Sequence, residues 1–384
     1  MKIRNEHPQA PTLNPGILVR HLYIHIPFCH RICPYCSFYK HTAGSTNIDE
    51  FVEAVLQEAH IYSKKLSVQP ESIYIGGGTP TFLNSRALGR LLQGLRDSFN
   101  FADLSEWTVE ANPATFDQSK ALLMRKSGVT RISLGVQSWA HSELALLGRD
   151  HCEDDVLHAF TVLRDVDMPS INVDLMFSLP SQTLIRWRES LERTIDLKPE
   201  HVSAYNLTIE EDTEFFNRHQ AGDFPLSEDR DAEHFYLADN LLGSAGYKHY
   251  EISNFAIDGH ESVHNKGYWM GRDYLGLGPS AVSTIKHCRW TNIANTGEYV
   301  SRAKGGGSTI KEFEYLTPND RTNEAIALQL RTSAGLSLAK LAHVPLTVID
   351  SLRSAGFLEV QGSKAYLTRS GFPLADTIAT ELFL

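Results

Sequence analysis

Three cysteines, Cys29, Cys33 and Cys36, fall in one short stretch, YIHIPFCHRICPYCSF, with the spacing C-x3-C-x2-C and no fourth cysteine nearby. Free cysteine is usually a small buried apolar residue. Three thiols at this spacing, among aromatic residues and prolines, form a metal-ligand pattern instead. Three thiolates can hold three irons of a cubane cluster and leave the fourth iron open, whereas a cluster used only for electron transfer normally has four thiolate ligands. An open iron can bind a second molecule and act on it. Zinc is the competing metal. A structural zinc site needs a fourth ligand, which His25, His30 or His41 could supply, so the cysteine spacing leaves both metals open.

The elements that must position these residues follow a repeating pattern. From about residue 20 to 210, apolar strand-like runs (HLYIHI, SIYIG, WTVEA, RISLGV, INVDLMF and VSAYNL) alternate with amphipathic helical runs such as IDEFVEAVLQEAHIYSKK and QTLIRWRESLERTI. Repeated βα units predict an α/β fold with a parallel sheet covered by helices. Six units without a dinucleotide-binding fingerprint predict an open or partial barrel. The remaining signatures each follow a strand: Gly76-Gly77-Gly78-Thr79, Glu110 with Asn112-Pro113, Gln137-Ser138, Asp174 and Asn206. They are therefore expected at the carboxyl ends of adjacent strands, where βα barrels place their active sites. Glycines there let backbone N–H groups approach a ligand closely. Glu110 and Asp174 end otherwise apolar strands, where a charge is costly unless it is paired.

The rest of the chain divides by pattern. Residues 1–20 are polar and Pro-rich and are predicted to be a flexible tail without the apolar segment of a signal peptide. Residues 21–210 are the barrel. Residues 211–310 carry shorter strand candidates (KHYEISNFA, YLGLGPSAVSTI, CRWTNIA) and are predicted to pack on the barrel as irregular or antiparallel structure. Residues 311–384 read as helices followed by a hairpin turning at 361–364, a C-terminal winged-helix-like α+β domain. A net charge of -10 over 384 residues argues against general binding to nucleic acid or anionic membranes, and the C-terminal module lacks a dense Lys/Arg stripe. Five cysteines are an odd, sparse set, a poor disulfide framework that suits the reducing cytoplasm.

The motifs YIHIPFC with CPYC, GGGTPT, EANP, GVQSW, LLGRDH and NVDLMFSLP, in this order, resemble the coproporphyrinogen-dehydrogenase-like branch of the radical S-adenosylmethionine (SAM) proteins. The resemblance covers nearly the whole chain. It implies a partial (β/α)6 radical SAM barrel in which Cys29, Cys33 and Cys36 ligate a 4Fe–4S cluster. In that superfamily the cluster binds SAM through its amino and carboxylate groups, and an electron cleaves SAM to methionine and a 5′-deoxyadenosyl radical. The protein contributes binding and orientation. By the same resemblance Gly76, Gly77, Gly78 and Thr79 meet the SAM amino group. Glu110, Gln137, Arg149 and Asp174 match positions that bind its ribose, adenine or carboxylate, with Arg149 suited to a bidentate carboxylate contact. Tyr23 matches a SAM contact, and Tyr35 is expected against the adenine. A reductant protein such as flavodoxin or ferredoxin is implied.

Two features bear on the subgroup. The coproporphyrinogen dehydrogenases carry a further cysteine two positions after the third ligand, where this chain has Phe38. The segment HNKGYW, beginning at His264, resembles a motif of the branch's haem chaperones, as does KHYEISNFA. A histidine beside Tyr and Trp can serve as an axial haem ligand next to flat aromatic walls, or it can be a hydrogen-bonded histidine in a packed loop. The resemblance thus implies a haem-binding chaperone with a 4Fe–4S cluster and SAM, passing haem to acceptor haemoproteins such as membrane respiratory enzymes. The alternative is an oxygen-independent coproporphyrinogen III oxidase.

Overall fold

Period-two alternation sets the architecture of the first half. The computed structural model describes residues 13–224 and 227–384. It contains β1 (Leu18–Ile26), β2 (Ser67–Gly77), β3 (Glu106–Ala111), β4 (Arg131–Gln137), β5 (Ser170–Phe177) and β6 (His201–Asn206), lying side by side in chain order and all parallel. One phase is apolar and fully buried, as in Leu22, Ile24 and Ile26 of β1 or Val173 and Leu175 of β5. It forms one core with the helices α1 (Ile48–Lys65), α2 (Ser85–Ser98), α3 (Gln118–Lys126), α5 (Glu153–Asp165) and α6 (Leu184–Asp196) between the strands, while the short α4 (His141–Leu146) after β4 packs on a separate cluster with Leu147 and Phe215. The other phase is polar and fills the barrel interior. Register places His21 beside Ser72, Tyr23 beside Tyr74, Ser133 beside Asn172, and Gly135 beside Asp174. Helix starts are written locally: Asn47, Asn84, Asp117 and Thr183 each accept a backbone N–H at the head of α1, α2, α3 and α6.

The middle of the chain, expected as irregular or antiparallel structure packed on the barrel, extends this sheet at both edges with mostly antiparallel pairings. After α7 (Glu214–Gln220) and α8 (Glu228–Ser244), β7 (Lys248–Glu251) and β8 (Asn254–Ala256) form a hairpin whose β8 pairs antiparallel with β6. The chain then passes through α9 (Val263–Trp269) to the opposite edge. There β9 (Tyr274–Leu277) pairs parallel with β1, followed by β10 (Val282–Ile285), β11 (Cys288–Asn292), α10 (Thr296–Lys304) and β12 (Ile310–Tyr315). The result is a twelve-stranded sheet. A fully buried carboxylate, Glu58 of α1, ties this edge down. It accepts from the Gly278 N–H (2.9 Å), Asn292 Nδ2 (2.8 Å), Thr309 Oγ1 (2.7 Å) and the Tyr299 hydroxyl (2.5 Å).

Two boundaries move. β1 begins at Leu18, so the predicted tail is shorter than 20 residues, and its residues 1–12 lie outside the described ones. β12 crosses the expected division at 310/311 and belongs to the large sheet. The C-terminal module therefore starts with α11 (Pro318–Gln329). It continues through β13 (Leu336–Ser337), α12 (Leu346–Ser354), the hairpin β14 (Leu358–Gln361) and β15 (Lys364–Leu367), and α13 (Ala375–Glu381). Its three-stranded antiparallel sheet and separate core, including Ile326, Leu330 and Leu358, have the winged-helix-like arrangement. LSLAKLA, within the stretch expected to be helical, is a two-residue strand and a short 3-10 turn. Backbone bonds from Ile252 N–H to Arg331 O (2.9 Å) and from Ser333 N–H to Tyr250 O (3.0 Å) join the module to the β7–β8 hairpin. Among the described residues no helix is long and apolar enough to cross a membrane.

Candidate functional site

The cysteines sit on a loop that leaves the carboxyl end of β1 and returns along itself. The Cys29 N–H donates to His41 O (3.0 Å) and the His41 N–H to Pro27 O (2.8 Å), which closes the loop at its neck. All three cysteines line one cavity of about 360 Å³, together with Tyr35, Gly77, Gly78, Thr79, Glu110, Gln137, Arg149 and Asp174. The polar signatures after β1 to β5 thus converge at the carboxyl ends of the strands, where barrel folds build their sites, whereas Asn206 of β6 turns to Asp231 and does not line the cavity.

The donor set fits a cubane better than a single ion. Among the described residues no three His, Cys, Asp or Glu side chains stand close enough to hold one metal ion. A cluster spreads its ligands over the corners of a cube and needs no such crowding. Two of the three histidines offered as a fourth zinc ligand are committed elsewhere. His25 Nε2 donates to Tyr39 O (2.8 Å) and its Nδ1 meets the Tyr23 hydroxyl (2.9 Å), while His41 bonds Thr42 O (2.7 Å) and Thr296 Oγ1 (2.7 Å). His30 packs edge-on against Phe82 and lines the same cavity as the cysteines. Burial pushes the Cys29 and Cys36 thiols above their ordinary values in the metal-free chain. Formation of thiolates is then coupled to metal binding.

The glycine loop is a cradle that side chains would fill. Gly77 has φ +113°, and a Cβ there would lie 2.5 Å from the His25 ring; a Cβ on Gly78 would lie 2.8 Å from Phe28 O and 3.0 Å from Cys29 Sγ. Beside it, Glu110 accepts from the Tyr74 hydroxyl (2.7 Å) and the Gly77 N–H (3.0 Å). Burial, aided by the neighbouring Asp174 charge, raises its carboxyl to about 7. Asp174 is also raised by burial, against hydrogen bonds from Ser133 Oγ (2.9 Å) and Asn172 Nδ2 (2.7 Å). Arg149 donates from Nη2 to Gly135 O (2.8 Å) and from Nη1 toward Cys33 Sγ (3.8 Å), and its buried Nε has no protein partner. Gln137 ends β4 at φ +67°, a conformation costly for a non-glycine residue and concentrated at functional sites. Two carboxylates, a guanidinium and a side-chain-free glycine turn around one cavity can bind a zwitterionic, ribose-bearing ligand.

Three predicted residues stand apart. Gly76 and Tyr23 are not among those lining the cavity; Tyr23 lies one layer below, bonded to His25 and stacked near Tyr74. His264 is at the opposite end of the barrel. It lies in α9, which plugs the amino ends of the strands rather than forming a loop, and it is only 1% exposed. Glu106 caps α9, accepting from Ser262 Oγ (3.1 Å) and the Val263 and His264 N–H groups (3.1 and 3.0 Å), and it pairs with Arg131 at 3.0 Å. His264 Nδ1 meets Ser72 Oγ at 2.8 Å, and its ring stacks on Tyr74 with centroids 5.2 Å apart. Burial drives the imidazole down to about 3, so it is neutral. In this arrangement no macrocycle reaches its iron-binding nitrogen.

Sequence reasoning passed over other cavity residues: Ser133, Gly135, Met176, Tyr205 and Lys40. The alternation held the signal, because Ser133 and Gly135 share the phase of Gln137 on β4, and Met176 that of Asp174 on β5. Lys40 reaches the Cys36 carbonyl.

A family model described as the radical SAM superfamily matches residues 23–194. The Heme chaperone HemW of Bacillus subtilis is 34% identical over 368 residues, covering 93% of this chain and 97% of that protein. The Heme chaperone HemW of Escherichia coli is 35% identical over 320 residues, covering 79% and 83%. The chain belongs to the HemW family of radical SAM proteins. Membership implies a 4Fe–4S cluster and SAM. Among solved structures, the coproporphyrinogen III oxidase HemN of Escherichia coli superposes with a TM-score of 0.83 over 97% of this chain and 91% of that one, at 24% identity, a likeness of fold.

Proposed function

We propose that this HemW-family chain is a haem chaperone of the radical SAM type, which binds haem and delivers it to haemoproteins. One observation carries the reading: the similarity to curated haem chaperones extends through 93% of the chain, the C-terminal module included, at 34% identity. Phe38, where the coproporphyrinogen dehydrogenases have a further cysteine, supports it. Cys29, Cys33 and Cys36 would hold the 4Fe–4S cluster, which supplies an open iron and an electron when bound. The chain's own part is to seat and orient SAM. The Gly77–Gly78 turn and Thr79 would face the amino end of SAM, Arg149 its carboxylate, and Glu110, Asp174 and Gln137 its ribose and adenine. Tyr35 would flank the ring. Tyr23 would act through His25 rather than by touching SAM, and Gly76 by leaving room for the Glu110 carboxyl.

Haem ligation by His264 requires α9 to leave the barrel floor, because the ring is enclosed by Tyr74, Tyr268 and His21. Membrane respiratory enzymes as acceptors, a flavodoxin or ferredoxin as reductant, and a cytoplasmic location belong to the same proposal. So does the division into barrel, extension and winged-helix-like module.

Anaerobic reconstitution followed by haem titration tests the function. Stoichiometric haem with a defined absorption spectrum supports it. No haem binding, together with conversion of coproporphyrinogen III to protoporphyrinogen in the presence of SAM and a reductant, would show the chain to be the oxidase instead. Titrating His264→Ala in parallel decides the ligand: a lost spectrum means that α9 opens, and an unchanged one means that haem binds elsewhere.

A further inference from the structure

The matched radical SAM region ends at residue 194, yet the iron-binding loop is held from well beyond it. The returning leg of that loop, residues 39–41, meets the first turn of α10 at one residue, Thr296. The Tyr39 hydroxyl lies 3.0 Å from Thr296 Oγ1 and accepts the Thr296 backbone N–H at 3.0 Å; His41 Nε2 lies 2.7 Å from the same Oγ1.

The directions of these bonds follow from chemistry. His41 Nδ1 faces the Thr42 carbonyl at 2.7 Å, which can only accept, so Nδ1 carries the proton in the neutral ring. Its Nε2 then accepts, and the Thr296 hydroxyl donates to it. Thr296 Oγ1 therefore accepts from the Tyr39 O–H. The Thr296 hydroxyl thus donates once and accepts once, both with the loop.

The returning leg is tied to the cysteines directly at His41 and Lys40, and at Tyr39 to the His25 ring beside the glycine turn. The His41 backbone brackets Cys29 through the bonds at the neck, and the neighbouring Lys40 reaches the Cys36 carbonyl. The Tyr39 carbonyl accepts from His25 Nε2, and Gly77 leaves room for that ring. Thr296 itself is 4% exposed. Its place is fixed independently of the loop: Asn295 caps α10 by accepting the Glu298 N–H (2.9 Å), and α10 packs along α1.

We propose that Thr296 is a positioning residue for the cluster: the β9–β12 extension clamps the cysteine loop through its hydroxyl and so sets how firmly the iron is retained. This rests on the assignment of the cluster to Cys29, Cys33 and Cys36.

The test compares wild type with Thr296→Val and Thr296→Ser, each reconstituted anaerobically. Iron and sulfide per chain, the rate of iron loss to a chelator, and the electron paramagnetic resonance spectrum of the reduced cluster are recorded. Val keeps the branched shape and loses both hydroxyl bonds. It is expected to release iron at least about fivefold faster, the factor carried by one ordinary hydrogen bond, with an altered spectrum. Ser should stay within about twofold of wild type by the same reasoning. Tyr39→Phe removes the donor from the loop side and should move in the same direction as Val, which keeps the test valid if Val fails to fold. Wild-type iron retention and spectrum in Thr296→Val or Tyr39→Phe overturns the proposal, as does equal iron loss from Val and Ser. A wild-type chain that takes up no iron overturns the cluster assignment itself.

Discussion

Glu110 gives the sharpest forecast, because its cost to the empty fold depends on pH in a calculable way. Its carboxyl titrates at about 7 in the folded chain against 4.5 when exposed, chiefly through burial. Below pH 4.5 both states hold the proton and the residue contributes nothing. Between 4.5 and 7 the unfolded chain ionises while the fold keeps its proton, so stability falls as pH rises. Above 7 the full penalty stands, about 3 kcal/mol at roughly 1.4 kcal/mol per pH unit. Glu110→Gln is a neutral copy of the protonated side chain and should remove this penalty. Urea unfolding of cluster-free protein at pH 5, 6, 7 and 8 measures it. We expect the variant to exceed wild type by less than about 1 kcal/mol at pH 5 and by about 3 kcal/mol at pH 8. Buried neutral histidines, among them His21 and His25 with values near 4, impose an opposite slope that cancels in the comparison. A variant less stable than wild type at pH 8, or a difference that does not change with pH, would refute the reasoning. The same substitution should weaken SAM binding, since the carboxylate is kept at a cost that only a ligand offsets.

Other expectations follow from the same geometry. Gly78→Ala drives a Cβ against Phe28 O and Cys29 Sγ, so reconstituted iron per chain should fall by more than half while the far-UV circular dichroism stays unchanged; full iron content would contradict the cradle. Arg149→Lys keeps a charge but loses the planar fork, and SAM affinity by isothermal titration should drop about tenfold or more. An unchanged affinity would remove Arg149 from the site. His264→Ala empties a packed ring position on the barrel floor and strips Ser72 of a partner, so the urea midpoint should report a loss of roughly 2–4 kcal/mol. A loss below about 1 kcal/mol would argue against the plug.

The six parallel strands were legible because each has an uninterrupted apolar phase, and the site because its polar residues cluster at strand ends. What escaped did so for physical reasons. The start of β2, SVQPE, carries a proline and polar residues and pairs only because β1 runs beside it. β12, IKEFEY, bears the charges of an edge strand and so looked like surface structure of the next module. The polar barrel interior hid inside runs that looked apolar, since every second residue of them was. The surroundings of His264 were the hardest to read: its neighbours Tyr268 and Trp269 make a haem wall in sequence, but a seven-residue helix gives too little periodicity to show which face it buries. Only the route from β8 under the barrel to β9 reveals that it meets Ser72 and Glu106.

Haem transfer tests the central claim most directly. Anaerobically reconstituted protein is loaded with haem, separated from free haem, and mixed with an apo-haemoprotein while the acceptor's absorption spectrum is followed. The account predicts one haem per chain and its passage to the acceptor. A chain that takes up no haem, or that holds haem and never yields it, would contradict the account.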